Sequence, residues 1–567
     1  MLSSRNHMTN FRAMKDLVDP TQTPATLRLE QFKNWSPEQL RDLLERRALS
    51  RDPTFGSQIN NNDPQVHETL RSKLQSHVFH NMPIRVIKLP EMQLIERSAV
   101  ASYLIRTYVD KNNDMAIHRI MAAKTAERSG KRMRDQAISE WLQNVTKFAI
   151  LSHTWWREEE PSYIDFDEQR ERCERGKRTL KGYSMKLQQF CDIAHRGYGV
   201  EFAWADTVCI DKSSSTELDE SIRSMFAWYR NSHVCIAYLA ETTDLLDCPS
   251  DRWFTRGWTL QEILAPHRLK FYNKDWHPLT NFLNDKIEHF DDEWLRLQGQ
   301  IDPSSRYSHQ FHLLHYAIFM ATGMDMATIC QFRPGIHSPS LPERMKWVAR
   351  RVTTRTEDKA YCMMGVFGVS MSIAYGEGAA RAFFRLFASI LEVGYSRDWF
   401  IWGGKSVPWE VHPSRMIPSS PECYLARENF EEHDLMSMNA REGEPVTLTN
   451  LGLPMKMLVV PARVSYNQDL GTFYHSTDIR ISCPLSEEPV IVRGIASDWD
   501  GESQGMVTSP QFALGVLNTG SEIAVDWELK VDLLQVGKVG DKQGPCVSMR
   551  KEATKDGCEQ LERDPYI

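Results

Sequence analysis

The chain has 567 residues with 41% hydrophobic and 25% charged side chains and a formal net charge of -7, a globular composition long enough for roughly two to four folded units. The acidic balance excludes a chain-wide role in holding nucleic acid, because phosphate binding needs clustered Lys and Arg. The 11 cysteines are scattered and never form Cys-x-x-Cys, which excludes a zinc knuckle or disulfide frame, while the lack of a signal-peptide start or of a run near the ~20 apolar residues of a spanning helix sets the expectation of a cytoplasmic protein without a membrane span.

In chain order, residues 1–82 read as a helical and partly disordered extension. Its clearest element starts at Trp35-Ser-Pro-Glu-Gln-Leu40, where Ser36 can cap, Pro37 suits the first turn and Gln39 can close a capping box over a helix to about Leu49. Ile84-Arg-Val-Ile-Lys-Leu89 alternates like an edge strand, and the basic run of residues 124–134 reads as a solvated helix face or linker. From Phe148 strand and helix patterns alternate: a first strand from Phe148 with Ser152 and His153 after it, then strands at 202–206, 234–239 and 269–272, with helical apolar faces at Leu187, Phe190, Cys191 and Ala194, and at Leu218, Ile222, Met225, Phe226 and Tyr229. A further helix opens near Trp258. This alternation predicts an α/β unit with a parallel sheet flanked by helices. Residues 291–400 read as a helical continuation, 401–445 as a Pro- and Ser-containing connection, and 446–567 as a β-rich region of unassigned role.

Three strand ends carry the informative clusters: Ala149-Ile-Leu-Ser-His-Thr-Trp-Trp156, Phe202-Ala-Trp-Ala-Asp-Thr-Val-Cys-Ile-Asp-Lys212, and Val234-Cys-Ile-Ala-Tyr-Leu-Ala-Glu241 leading into Arg252-Trp-Phe-Thr-Arg-Gly-Trp-Thr-Leu-Gln-Glu262. Together they resemble the fungal heterokaryon incompatibility (HET) domain, a distant relative of the TIR signalling domain. The segments Thr354-Arg-Thr-Glu-Asp-Lys-Ala-Tyr-Cys-Met-Met-Gly-Val-Phe-Gly368 and Tyr375-Gly-Glu-Gly378 resemble what commonly follows that domain. The resemblance spans about residues 83–391, and sets a HET domain at 83–290 with a TIR-like, flavodoxin-like core at 148–273. It implies a role in nonself recognition and programmed cell death in a filamentous fungus, with self-association or an incompatibility partner protein.

Ligands of open parallel sheets collect beyond the carboxyl ends of the strands, where Ser152, His153, Asp206, Asp211 and Glu241 are expected. Residues 211–216, Asp-Lys-Ser-Ser-Ser-Thr, precede a helix and can hold a phosphate or cap that helix through Thr216 and Asp219. The Trp258-Thr-Leu-Gln-Glu262 block is similar to the Trp-Cys-Leu-x-Glu block of TIR domains, whose glutamate is catalytic in NAD-cleaving members; Thr259 stands in place of that cysteine. The resemblance therefore implies Glu262 as a catalytic carboxylate acting on NAD as substrate, with no tightly bound cofactor. Ser152, His153, Trp155, Asp206, Asp211, Lys212, Ser213 and Trp258 are the expected binding residues. The alternative for Glu262 is a structural pair with Arg252 or Arg256, leaving an interaction module without turnover, or a nucleotide binder. Trp155, Trp156, Trp204, Trp253 and Trp258 divide between core packing and an aromatic wall. His309, His312 and His315 lack the spacing of a metal site, and Gly376-Glu-Gly378 reads as a turn with a cap rather than a dinucleotide fingerprint.

Overall fold

The computed structural model describes residues 64–155, 160–166, 185–287, 306–334, 339–393 and 399–425, apart from a few positions within 112–127 and 400–416, and the backbone of six strands between Leu458 and Lys551. The predicted helix at 36–49 lies outside the described residues, as do Trp156 and residues 124–127. Two compact units divide the chain: the described residues of Met1–His77, Ala101–Thr146 and His289–His312 fall in one, those of Val78–Val100, Lys147–Glu288 and Leu313–Ile567 in the other.

The first unit is helical among its described residues, with α1 (Pro64–Asn81) and α2 (Arg97–Leu104) each partly in it and α3 (Arg128–Val145) wholly in it. It buries Leu70, Leu74, Val109, Ile138 and Leu142. Arg71 pairs with Asp110 at 2.8 Å, and the rings of His67 and His118 lie 4.7 Å apart.

The second unit is built on a six-stranded sheet in the order β2-β1-β4-β3-β5-β6. Its strands are β1 (Arg85–Lys88), β2 (Gln93–Glu96), β3 (Phe148–His153), β4 (Phe202–Trp204), β5 (Val234–Tyr238) and β6 (Leu269–Tyr272). Strands β3 to β6 are parallel, in the registers Ala149↔Ala203, Ala149↔Val234 and Cys235↔Leu269. Every residue of these four strands is buried, as expected of a parallel sheet covered on both faces, and this explains their continuous apolar runs. Between them run α4 (Met185–Asp192), α5 (Ser215–Asn231) and the short α6 (Thr259–Leu264). The chain passes from β3 outward to β4, then returns across β3 to β5 and on to β6. The strand order therefore reverses between β3 and β5, and it is at such a reversal that a doubly wound sheet opens a crevice at its carboxyl edge.

The α/β sheet is as expected from β3 to β6, and its remaining two strands are not parallel: β1 pairs antiparallel with both β4 and β2. Nor is β1 the edge strand; β2 is, reached through a turn short enough only for an antiparallel neighbour. The half-exposed Gln-Leu-Ile-Glu of β2 has too little alternation to announce itself.

A run of helices follows: α7 (Arg306–Thr322), α8 (Met326–Gln331), α9 (Leu341–Ala349), α10 (Asp358–Tyr361), α11 (Met364–Phe367) and α12 (Ala379–Val393). Helix α9 starts with a full capping box, Ser340 and Glu343. From Leu458 on, β7 (Leu458–Asn467), β8 (Thr477–Ser482), β9 (Val490–Gly494), β10 (Gln511–Val516), β11 (Val531–Lys538) and β12 (Val547–Lys551) form a separate antiparallel sheet in the order β12-β11-β10-β7-β8-β9. Among the described residues no helix is long and apolar enough to cross a membrane.

Helix α11 packs against α5 so closely that a Cβ at Gly365 would collide with the Phe226 side chain. Overpacking of this kind costs about 1–3 kcal/mol. Gly365→Ala is expected to lower the thermal unfolding midpoint of the full chain, which differential scanning calorimetry would read.

Candidate functional site

The carboxyl ends of β3 and β4 and the start of α6 converge at the reversal point. Ser152, the penultimate residue of β3, is fully buried and donates a hydrogen bond of 2.5 Å from its hydroxyl to Glu262 Oε2. The same hydroxyl accepts 2.7 Å from the indole Nε1 of Trp253, itself buried. Ser152 is thus a donor to the carboxyl and an acceptor from the indole, and its orientation is fixed from both sides. Glu262 is only 7% exposed. Burial chiefly, and then the negative charge of Asp206, push its carboxyl from the ordinary 4.5 to about 7, against the Ser152 hydrogen bond and the charges of Arg256 and His153.

Beside this lies a second, more open cluster. His153 Nε2 is 3.1 Å from Asp206 Oδ1, and Trp155 Nε1 donates to Asp206 Oδ2 at 2.9 Å. The Lys212 ammonium sits over the Trp155 ring, 3.8 Å from its centre, a cation–π contact. Asp206 resists protonation to about 2: burial works against its charge, but the His153 hydrogen bond and the positive charges of His153, Lys212 and Arg256 outweigh it. On the other side of His153, Nδ1 faces Glu160 at 3.6 Å, and Glu160 pairs with the buried Lys186, which also donates 3.1 Å to the Thr154 carbonyl. Basic and acidic side chains thus alternate from Lys186 through Glu160 and His153 to Asp206 and Lys212.

Of the predicted residues, Ser152 and Glu262 form one contact, and His153, Trp155, Asp206 and Lys212 another. Asp211 and Ser213 belong to a local turn. Asp211 accepts from the Ser213 amide and hydroxyl at 2.9 and 2.6 Å, and its own amide donates 2.8 Å to Glu217. The helix cap is two residues earlier than expected: Ser214, not Thr216, accepts from the Glu217 amide, while Asp219 pairs with Arg223 and accepts from the Ile373 amide. Glu217 instead clamps Arg85 of β1. The Trp258 side chain lies against the Asp358 carboxyl, where it favours the ionised form. Glu241 pairs with Arg252, which leaves neither Arg252 nor Arg256 bonded to Glu262 among the described contacts. Trp204 is core, packed edge-on against Trp228 and Tyr229.

Glu160, Lys186 and Arg351 escaped sequence reasoning. Glu160 ends a Glu-Glu-Glu run that reads as solvated surface, and Lys186 in α4 and Arg351 just beyond α9 belong to no motif; nothing short of the tertiary contacts marks them. His315 Nε2 lies 2.9 Å from the Ile287 carbonyl oxygen, and His312 is on an exposed position beside Phe311. The Gly-Glu-Gly turn has Gly376 and Gly378 at φ of 96° and 81°, and both amides donate to Glu357 Oε1, at 2.9 and 3.1 Å. It opens α12, as a turn with a cap should.

Residues 148–251 match the family model described as Heterokaryon incompatibility protein (HET). The chain is 27% identical over 449 residues to "Vegetative incompatibility protein HET-E-1" of Podospora anserina, a match covering 73% of this chain and 30% of that relative. The chain thus spans under a third of the length of the curated relative it matches. No solved structure matches it. The chain carries a HET domain, and Glu262 lies just beyond the residues that the family model covers.

A carboxyl raised from 4.5 to about 7 binds its proton more tightly in the folded than in the unfolded chain. Its contribution to stability is complete below pH 4.5 and is lost as the pH rises through 7, a difference of about 3 kcal/mol. Glu262→Gln, which cannot ionise, is therefore expected to match the parent in denaturant unfolding near pH 4.5 and to exceed it by about that amount at pH 8.

Proposed function

We propose that this chain acts in fungal heterokaryon incompatibility, and that its HET domain carries a site for cleaving the nicotinamide N-glycosidic bond of NAD, with Glu262 as the reacting carboxylate. The observation that supports this reading is the placement of Glu262: a buried carboxyl, bonded to the Ser152 hydroxyl, at the reversal point of a doubly wound sheet. In the reaction the C–N bond breaks with its electron pair leaving on the nicotinamide nitrogen. That ring is cationic before departure and neutral after it, so the leaving group needs no proton. Positive charge passes to the ribosyl oxocarbenium, which an adjacent carboxylate stabilises before water adds and a proton is released. A second carboxyl is not required.

The electrostatics suit a cationic substrate. Among the described residues the buried Glu262 forms no ion pair, and a positive charge brought beside it would favour its ionised form. Trp155, 40% exposed and with its face already occupied by the Lys212 ammonium, is an aromatic surface on which a cationic or purine ring can stack.

A second reading rests on the low exposure of Glu262. Its contacts then hold the sheet edge together, and the domain signals by associating with itself or with an incompatibility partner. Release of free nicotinamide from NAD by the purified full chain separates the two readings. The enzymatic reading expects turnover that Glu262→Gln and Glu262→Ala reduce at least a hundredfold while circular dichroism is unchanged, and a rate that climbs with pH through about 7 as the carboxyl ionises. Concentration-dependent assembly without nicotinamide release, or turnover indifferent to residue 262, would support the association reading instead.

A further inference from the structure

Helix α6 spans six residues and has no side-chain cap at Trp258, so it has little intrinsic means of holding its shape. Its first turn is instead held from the segment after α9. Arg351 is 4% exposed, and its Nη1 donates 2.8 Å to the Arg256 carbonyl and 3.0 Å to the Thr259 hydroxyl oxygen. Its Nε donates 3.2 Å to the Trp347 carbonyl, tying the contact back to α9. The backbone follows the same path: the Gly257 amide donates 2.9 Å to Val352, and the Val352 amide 2.7 Å to Thr255. A Cβ at Gly257 would collide with the Thr353 side chain, which fills the space that only a glycine leaves open here.

From Thr259 the contacts lead to the site. Its hydroxyl lies 2.5 Å from the Trp253 carbonyl and 2.9 Å from that of Arg256. Trp253 in turn holds Ser152, and Ser152 holds Glu262, which stands three residues after Thr259 on the same helix. The path from Arg351 therefore closes on itself at Glu262. A guanidinium is a costly choice for this position. Burial presses its pKa down to about 10, and among the described residues it forms no ion pair. An apolar side chain would fill the space without desolvating a charge, but it would leave the Arg256 carbonyl and the Thr259 hydroxyl without this donor.

The geometry points to Arg351 as a positioning residue: a buried donor, supplied from beyond the residues matched by the HET model, that fixes the α6 turn and with it the Trp253–Ser152–Glu262 contacts. Its consequence for catalysis rests on the proposed role of Glu262. Its consequence for structure does not, and the two can be tested separately.

The experiment compares the full-length parent with Arg351→Lys, which keeps the charge but not the fork, and with Thr259→Val, which keeps the shape but not the hydroxyl. Hydrogen–deuterium exchange is followed in peptides covering residues 257–264 and in those covering β3 and β5. Nicotinamide release is measured for kcat and KM separately. Expected is exchange at least tenfold faster in 257–264 with β3 and β5 unchanged, and kcat lowered about ten- to a hundredfold with KM within about twofold, the signature of a misplaced group. Exchange that is unchanged, or faster equally in all three regions, would overturn the inference, the latter marking a general packing role. Loosened exchange with unaltered kcat would overturn the link to catalysis. If the parent itself releases no nicotinamide, the NAD reading fails, while the exchange comparison still decides whether Arg351 holds α6.

Discussion

The single contact on which the candidate site turns is the hydrogen bond from Ser152 to Glu262. It joins the end of the central strand β3 to a six-residue helix that the sheet itself does not pair with, and it does so where the order of the parallel strands reverses. Ser152 cannot rotate freely, because while its hydrogen goes to Glu262 one of its lone pairs accepts the Trp253 indole N–H. Trp253 is held by the Thr259 hydroxyl, and Thr259 by Arg351. A buried hydroxyl that is both donor and acceptor is an oriented dipole, and in a low-dielectric setting it acts on a carboxyl more strongly than water would. The outcome is a carboxyl whose two protonation states are close in free energy at neutral pH, an uncommon condition for a glutamate and one that burial, not a neighbouring carboxylate, chiefly brings about.

The second cluster has the opposite character. Asp206 is surrounded by His153, Lys212 and Arg256 and stays ionised, and Glu160 is held charged in the same way, burial being outweighed by His153 and Lys186. Two sets of acidic groups near the same strand ends are therefore driven apart in proton affinity by their surroundings. Such separation is what acid–base or charge-stabilising chemistry uses, although buried ion-pair networks with a purely structural task produce it as well. The exposed face of Trp155 and the pairing of Lys212 above it place a cation where this acidic edge meets solvent.

Much of the core was legible because its signal is physical. Four buried strands read as continuous apolar runs, and the faces of α4 and α5 recur at helical spacing, so the order of elements from Phe148 to Tyr272 follows from hydrophobic pattern alone. The contribution of Ser152 and Glu262 was legible through the block that each ends or carries, although the partner of Glu262 was not: Arg252 and Arg256 are nearer in sequence, but the strand end supplies the bond. What stayed hidden depends on tertiary contact. Strand β2 has too few apolar positions to show a period. The cap of α5 fell on Ser214 because Glu217, not Asp219, was free to reach back toward Asp211 while also pairing Arg85. Lys186 and Arg351 are basic residues in no recognisable motif, one in α4 and one just after α9, and only burial against a carbonyl or a carboxylate gives them meaning.

The protonation state of Glu262 tests this account most directly. Infrared difference spectroscopy of the full-length protein against Glu262→Gln isolates the carboxyl stretch of that one side chain. The account predicts a protonated-carboxyl band, absent from the variant, that persists at pH 6 and disappears with a midpoint near 7. A carboxylate already ionised at pH 5, with no such band, would contradict it, because a carboxyl buried at the end of β3 under Ser152 and Trp253 cannot behave like one in water.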